Sequence, residues 1–104
     1  MDIKALAENL GLEESEYREM LEIFFESAEQ DLAKIEAALN DGNAEQTHEA
    51  SHSLKGSSGS LGLTALFDLA QEIDDTARQG KLDGLREKTE QLRSGLEALK
   101  QGLS

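Results

Sequence analysis

A short stretch in the middle of the chain concentrates the side chains that could take part in chemistry. His48 and His52 are four residues apart, and Lys55 follows three residues after His52. Gly56 and Gly59 come next. An imidazole has an ordinary pKa of about 6.5, so at neutral pH much of it is neutral and one ring nitrogen keeps a free lone pair. A lysine one helical turn further on can neutralise part of a negative charge bound at that nitrogen. This combination suits a histidine that receives a phosphoryl group.

Helical geometry separates this stretch into two faces. At about 100° per residue, a helix places Ala50, Leu54 and Leu61 about 160° to 200° away from His52. We therefore expect these three side chains to face the core and His52 to face solvent. The residues within about 60° of His52 are Glu45, His48, Glu49, Lys55, Gly56 and Gly59.

The two glycines on this exposed face are unusual. Glycine in a helix interior costs about 1 kcal/mol relative to alanine. Because Gly56 and Gly59 are predicted to point away from the core, close packing against a neighbouring helix does not explain them. We expect them to leave space for a bulky partner to approach His52. A loosened helix end near Gly62 is the alternative explanation.

Residues 48–52, His-Glu-Ala-Ser-His, also match the His-Glu-x-x-His pattern of zinc metalloproteases. A catalytic zinc ion needs a third protein ligand and a substrate cleft. The sequence predicts no strand that would line such a cleft, and a pattern with three fixed residues often arises by chance. We therefore predict no metal site, although the two histidines could bind zinc incidentally. No general base or phosphate-binding glycine loop is evident, so a partner must supply the catalytic groups.

The composition limits the class of protein. The chain has 104 residues, enough for one small domain, and it has no cysteine for a disulfide or thiolate metal site. Its 22 acidic residues against 10 Lys and Arg give a net charge of -12, which argues against nucleic acid or an anionic membrane as partner. No apolar run approaches the roughly 20 residues of a membrane span, and no leader pattern opens the chain. We expect a cytoplasmic, monomeric, free-standing protein.

Apolar periodicity predicts an all-α fold. Proline is absent, and no window alternates like a strand. The predicted helical segments cover about 2–10, 13–39, 43–61, 64–80 and 83–103. Asn43 (with Gln46 completing a capping box), Thr64 and Asp83 are the predicted N-caps of the last three. We expect a single domain over residues 1–104, folded as an antiparallel up-down four-helix bundle with a short extra N-terminal helix as a lid.

The predicted core follows the same periodicity. The rings of Tyr17, Phe24 and Phe25 are expected to fill one end of the bundle. The other predicted core positions are Leu21, Ala28, Leu32, Ile35, Leu39, Leu66, Leu69, Ala70, Ile73, Ala77, Leu85, Leu92, Leu96, Leu99 and Leu103.

One flank of the fourth segment carries Phe67, Gln71 and Asp74, about 80° to 140° from Leu66 at the middle of its core stripe. Phe67 could seal the side of the bundle or form part of an apolar docking patch around His52, and the sequence leaves both open. Gln71 could hydrogen-bond the imidazole or its phosphate.

Residues 52–62, His-Ser-Leu-Lys-Gly-Ser-Ser-Gly-Ser-Leu-Gly, resemble the signature of histidine-containing phosphotransfer (HPt) domains, whose core pattern is His-x-x-Lys-Gly. The resemblance extends over the whole chain in length, helical bundle and acidic balance. It implies that His52 is phosphorylated, accepting the phosphoryl group from a receiver-domain aspartate and passing it to another. It also implies that Lys55 is the charge partner and that Gly56 and Gly59 provide clearance.

The resemblance defines the expected partners and cofactors. We expect receiver domains of response regulators or hybrid histidine kinases as partners, with Mg²⁺ in the receiver and no cofactor bound by this chain. The protein would be a phosphocarrier and not an enzyme; a non-phosphorylated adaptor bundle is the alternative, which the presence of His52 disfavours. Ser51 stands where the family usually has alanine, and His48 is outside the family pattern. The predicted docking residues are His48, Glu49, Phe67 and Gln71.

Overall fold

Five helices account for most of the chain in the computed structural model, which describes residues 2–103. They are α1 (Ile3–Asn9), α2 (Glu14–Asn40), α3 (Ala44–Ser60), α4 (Thr64–Arg78) and α5 (Leu85–Leu103). Residues 2–103 contain no strand. The all-α prediction is confirmed, and the predicted segment ends agree with the helices to within about two residues.

Helix α3 begins and ends on local chemistry that the sequence predicts. The Asn43 side chain accepts a hydrogen bond from the Gln46 N–H at 3.0 Å and so satisfies a donor left free at the first turn. At the other end, Gly62 has a φ of +71°, a conformation that costs glycine little. The Leu63 N–H then donates to the Ser58 carbonyl at 3.0 Å. This tight turn sends the chain directly into α4 and fixes α3 beside it.

Two of the predicted N-caps are wrong. Leu63 occupies the N-cap position of α4 and makes no side-chain capping bond, so Thr64 is already the first helical residue. Helix α5 begins at Leu85, directly after Gly84 with a φ of +75°. Asp83 therefore lies in the turn, one residue too early to cap the helix. In both cases a glycine-containing turn sets the start of the helix.

Helices α2 to α5 pack as a four-helix bundle, as predicted. Helix α3 packs between α2 and α4, while α5 packs against α4 and α2. Helix α1 packs on α2 and contributes Ile3 and Ala7 to the core. None of the helices in residues 2–103 has both the length and the apolar character that crossing a membrane requires.

The core contains the predicted apolar positions, most of them fully buried. Tyr17 is completely buried, and its hydroxyl donates to the Leu61 carbonyl at 2.5 Å, which ties the start of α2 to the end of α3. Phe24 is also buried, but Phe25 is only half-buried, and its ring centroid lies 5.6 Å from the Lys100 ammonium. The other predicted core residues that are only half-buried are Leu39, Leu69 and Leu103.

Candidate functional site

His52 lies on the solvent-facing side of α3. Its side chain is 57% exposed, whereas Ala50, Leu54 and Leu61 on the opposite side are buried in the core. The division of this segment into a core face and an exposed face is therefore as predicted.

The His52 ring contacts the buried carboxylate of Asp74, a residue to which the sequence patterns assign no role. Asp74 lies on α4, across the seam from His52, and its side chain has no exposed surface. Its Oδ2 atom accepts from His52 Nδ1 at 3.3 Å and from Lys55 Nζ at 3.2 Å. Its Oδ1 atom accepts from Arg78 Nε at 3.2 Å and from His48 Nδ1. One carboxylate thus organises four side chains from two helices.

The ionised Asp74 carboxylate determines which ring nitrogen of a neutral His52 carries the proton. Burial by itself raises the pKa of Asp74, but hydrogen bonds from His48, Lys55, Arg78 and His52 together outweigh burial and lower that pKa to about 2. At neutral pH the carboxylate is therefore ionised and can only accept hydrogen bonds. The Nδ1 atom of His52 must then carry the proton. In the neutral ring, Nε2 keeps the lone pair and is available as a nucleophile.

Two positively charged side chains lie beside the His52 ring although the chain has a net charge of -12. Lys55 and Arg78 both pair with the single negative charge of Asp74. Lys55 is held by Asp74 and not by a glutamate of its own helix. A compact ammonium group in this place favours a phosphoryl group bound at His52.

The two glycines of α3 have different surroundings. A Cβ atom at Gly56 would meet nothing within 4 Å, so this position is open. A Cβ atom at Gly59 would lie 3.1 Å from Cδ2 of Phe67 on α4. Gly59 is exposed, as predicted for this face, but a larger residue there would have to displace the Phe67 ring. Close packing against a neighbouring helix therefore applies to Gly59, contrary to expectation, and its clearance role stays a prediction.

The two histidines are not joined by a third metal ligand in the part of the chain that the structure describes. Their ring centroids are 5.9 Å apart, but both Nδ1 atoms point to Asp74, which Lys55 and Arg78 already neutralise. In the part of the chain that the structure describes, no three or more His, Cys, Asp or Glu side chains are grouped so that they could hold a metal ion. The His-Glu-x-x-His pattern therefore lacks the third ligand of a zinc protease.

A family model matches the part of the chain that contains this site, and a solved structure shares its fold. The Hpt domain family model matches residues 19–102, which include the whole of α3 and α4. The chain belongs to the Hpt domain family. The crystal structure of histidine-containing phosphotransfer protein B from Pseudomonas aeruginosa PAO1 is similar, with a TM-score of 0.82 and 30% identity. The match covers 94% of this chain and 85% of that one. Among curated proteins, none matches this chain.

Membership of the Hpt family gives the chain its general role. Hpt domains are phosphocarriers of two-component systems and interact with receiver domains. The chain therefore has a histidine phosphotransfer role in phosphorelay signalling.

The remaining predicted docking residues of this Hpt domain lie around the site and not within it. Phe67 is half-buried over Gly59, and its outer side lines a shallow groove with Asp68. Glu49 is exposed on the α2-facing side of α3, where it lines a groove with Lys34. Gln71 is exposed and makes no hydrogen bond to His52 among the described residues. The Nδ1 atom of the imidazole contacts instead Asp74, one turn further along α4, and the alternative bond from Gln71 to the phosphate stays a prediction.

One partial signal for Asp74 and Arg78 is present in the sequence. Helical spacing puts Asp74 on the same flank of α4 as Phe67 and Gln71, and Arg78 follows it by one helical turn. Which residue of α3 faces Asp74 depends on the axial offset between α3 and α4. That offset is fixed by the turn at Gly62 and by the contact of Phe67 with Gly59.

Proposed function

We propose that His52 accepts a phosphoryl group on Nε2 from the phosphoaspartate of one receiver domain and passes it to the aspartate of another. The Nε2 lone pair forms the N–P bond while the P–O bond to the aspartate breaks and the carboxylate leaves with the electron pair. No proton has to move, because Nδ1 already carries one. The observation that carries this proposal is the contact between the exposed His52 ring and the ionised Asp74.

Asp74 also stabilises the product. Attack through Nε2 makes the ring cationic, with its proton still on Nδ1, and the carboxylate 3.3 Å away opposes that charge. A buried carboxylate that orients a histidine and stabilises its imidazolium serves the same purpose in hydrolytic triads. The reaction can run in both directions, because nothing in this arrangement is consumed.

Lys55 and Gly56 serve the incoming group and its carrier. The Lys55 ammonium, anchored on Asp74, lies beside the ring where it neutralises phosphoryl oxygens. Gly56 is one helical turn beyond His52 and leaves open space for the receiver surface. The chain supplies the nucleophile and its charge partner, and the receiver supplies Mg²⁺ and the reactive aspartate. We accordingly propose a cytoplasmic monomer without a cofactor of its own, whose partners are response regulators or hybrid histidine kinases.

Phosphoryl transfer from a receiver tests this proposal. The full chain is mixed with a receiver domain carrying labelled phosphate and Mg²⁺, and acid-labile, base-stable label on the chain is measured. We expect the wild-type chain to be labelled and His52→Gln to remain unlabelled, because glutamine offers no nucleophilic nitrogen. Equal labelling of the two proteins would reject His52 as the acceptor. Circular dichroism of the variant checks that the helices are retained.

A further inference from the structure

Asp74 is held by more donors than are needed to orient His52. Its Oδ2 atom faces His52 and Lys55, while its Oδ1 atom is held by His48 and Arg78. An ionised carboxylate has about four lone-pair sites, so these four donors occupy all of them. His48 and His52 lie on the same face of α3 and contact different oxygens of the Asp74 carboxylate.

His48 is better placed than Arg78 to fix the carboxylate. The Arg78 side chain is 52% exposed and comes from α4, the helix of Asp74 itself, so its contact does not cross the helix seam. His48 is only 29% exposed and comes from α3, one turn before His52. Its contact crosses the seam, as does that of Lys55 on the other oxygen, and it is the cross-seam contact that holds Oδ1 relative to the helix that carries the nucleophile.

We propose that His48 is a positioning residue for phosphoryl transfer at His52. By donating Nδ1–H to Oδ1, it prevents the Asp74 carboxylate from turning about its Cβ–Cγ bond and keeps Oδ2 directed at His52. The His52 ring then stays in the tautomer with the proton on Nδ1 and a free Nε2. This inference rests on the proposed function of His52 and adds a residue that acts on it only through Asp74.

Three substitutions at position 48 separate the donor from the rest of the side chain. His48→Leu removes the donor and puts an apolar side chain in place of the ring. His48→Asn places an amide N–H close to the position of Nδ1, whereas His48→Gln places it one bond further out. We expect His48→Leu and His48→Gln to change the tautomer of His52 and the transfer rate in the same way. We expect His48→Asn to keep both as in the wild type. Thermal unfolding followed by circular dichroism identifies any variant that has lost its fold.

Two readouts on the full chain decide the inference. The first is the pair of ¹⁵N chemical shifts of the His52 ring at neutral to mildly alkaline pH, which report its tautomer without any partner. The second is the initial rate of phosphoryl transfer from the labelled receiver. We expect His48→Leu and His48→Gln to shift His52 towards a mixture of tautomers and to slow transfer by about 10-fold, with His48→Asn near wild type.

The outcomes distinguish this inference from the proposed function. Wild-type tautomer and wild-type rate in His48→Leu and His48→Gln would overturn the role of His48 while leaving His52 as the acceptor. A wild-type chain that takes no phosphate would overturn the proposed function. In that event the ¹⁵N shifts still decide whether His48 holds His52 in place through Asp74.

Discussion

The Nδ1 atom of His52 lies 3.3 Å from Oδ2 of Asp74, across the seam between α3 and α4. An exposed ring is thereby tied to a carboxylate with no exposed surface. In the proposed transfer Nε2 is the nitrogen that meets the partner, and the buried carboxylate decides that the proton is on Nδ1. The tautomer of the exposed His52 ring therefore depends on how α3 packs against α4.

Asp74→Asn should impair phosphoryl transfer much more than it impairs folding. The amide keeps the shape of the carboxylate but cannot oppose the positive charge that develops on His52, so we expect the transfer rate to fall by about 100-fold or more. Initial rates with a labelled receiver measure this effect. Asp75→Asn, at the exposed neighbouring position on α4, is the matched control and should leave the rate unchanged. Equal rates for both variants would contradict the role of Asp74.

The low pKa of Asp74 predicts a pH dependence of stability. The pKa of Asp74 is about 2 in the folded chain and has its ordinary value of 3.8 in the unfolded chain, so between these values the unfolded chain binds more protons than the folded one. The stabilising contribution of Asp74 is complete above the unfolded pKa and disappears as the pH falls through about 2. The difference in unfolding free energy between wild type and Asp74→Asn should thus shrink between pH 5 and pH 2 in urea titrations. A difference independent of pH would contradict this prediction.

Lys55→Ala should slow phosphoryl acceptance at His52 without changing the helical content. One charge-assisted hydrogen bond to the phosphoryl group is worth about 1.5 kcal/mol, which corresponds to about a 10-fold slower transfer. The decay of the phosphorylated protein should also become faster, because the product loses its neighbouring positive charge. Lys55→Arg keeps the charge and serves as the control. Unchanged rates in Lys55→Ala would show that the ammonium group only pairs with Asp74.

Gly56 allows steric access to be tested apart from folding. A methyl group there meets no atom within 4 Å, so Gly56→Ala should stabilise α3 by up to about 1 kcal/mol and leave transfer unchanged. Gly56→Leu should fold equally well but block the approach of the receiver and reduce transfer strongly. Transfer rates and thermal unfolding of the two variants, measured side by side, check this. Full activity of Gly56→Leu would refute the clearance role.

The sequence predicted the helices and the exposed face of α3 because these depend on local periodicity and on residues within one turn of each other. Asn43 as the cap of α3 and His52 on its exposed face are examples. Contacts between α3 and α4 depend instead on the offset of two helices, which no local pattern encodes. For that reason the sequence alone assigns Asp74 no partner and does not predict that Phe67 lies close to Gly59.

The position of the N–P bond tests the central claim most directly. The ¹⁵N-labelled chain is phosphorylated by a receiver domain, and the phosphorus–nitrogen coupling is measured by NMR at the histidine rings. We expect a single phosphorylated nitrogen, Nε2 of His52, with Nδ1 still protonated beside Asp74. Phosphate on Nδ1 of His52, on His48, or on no histidine at all would contradict the account.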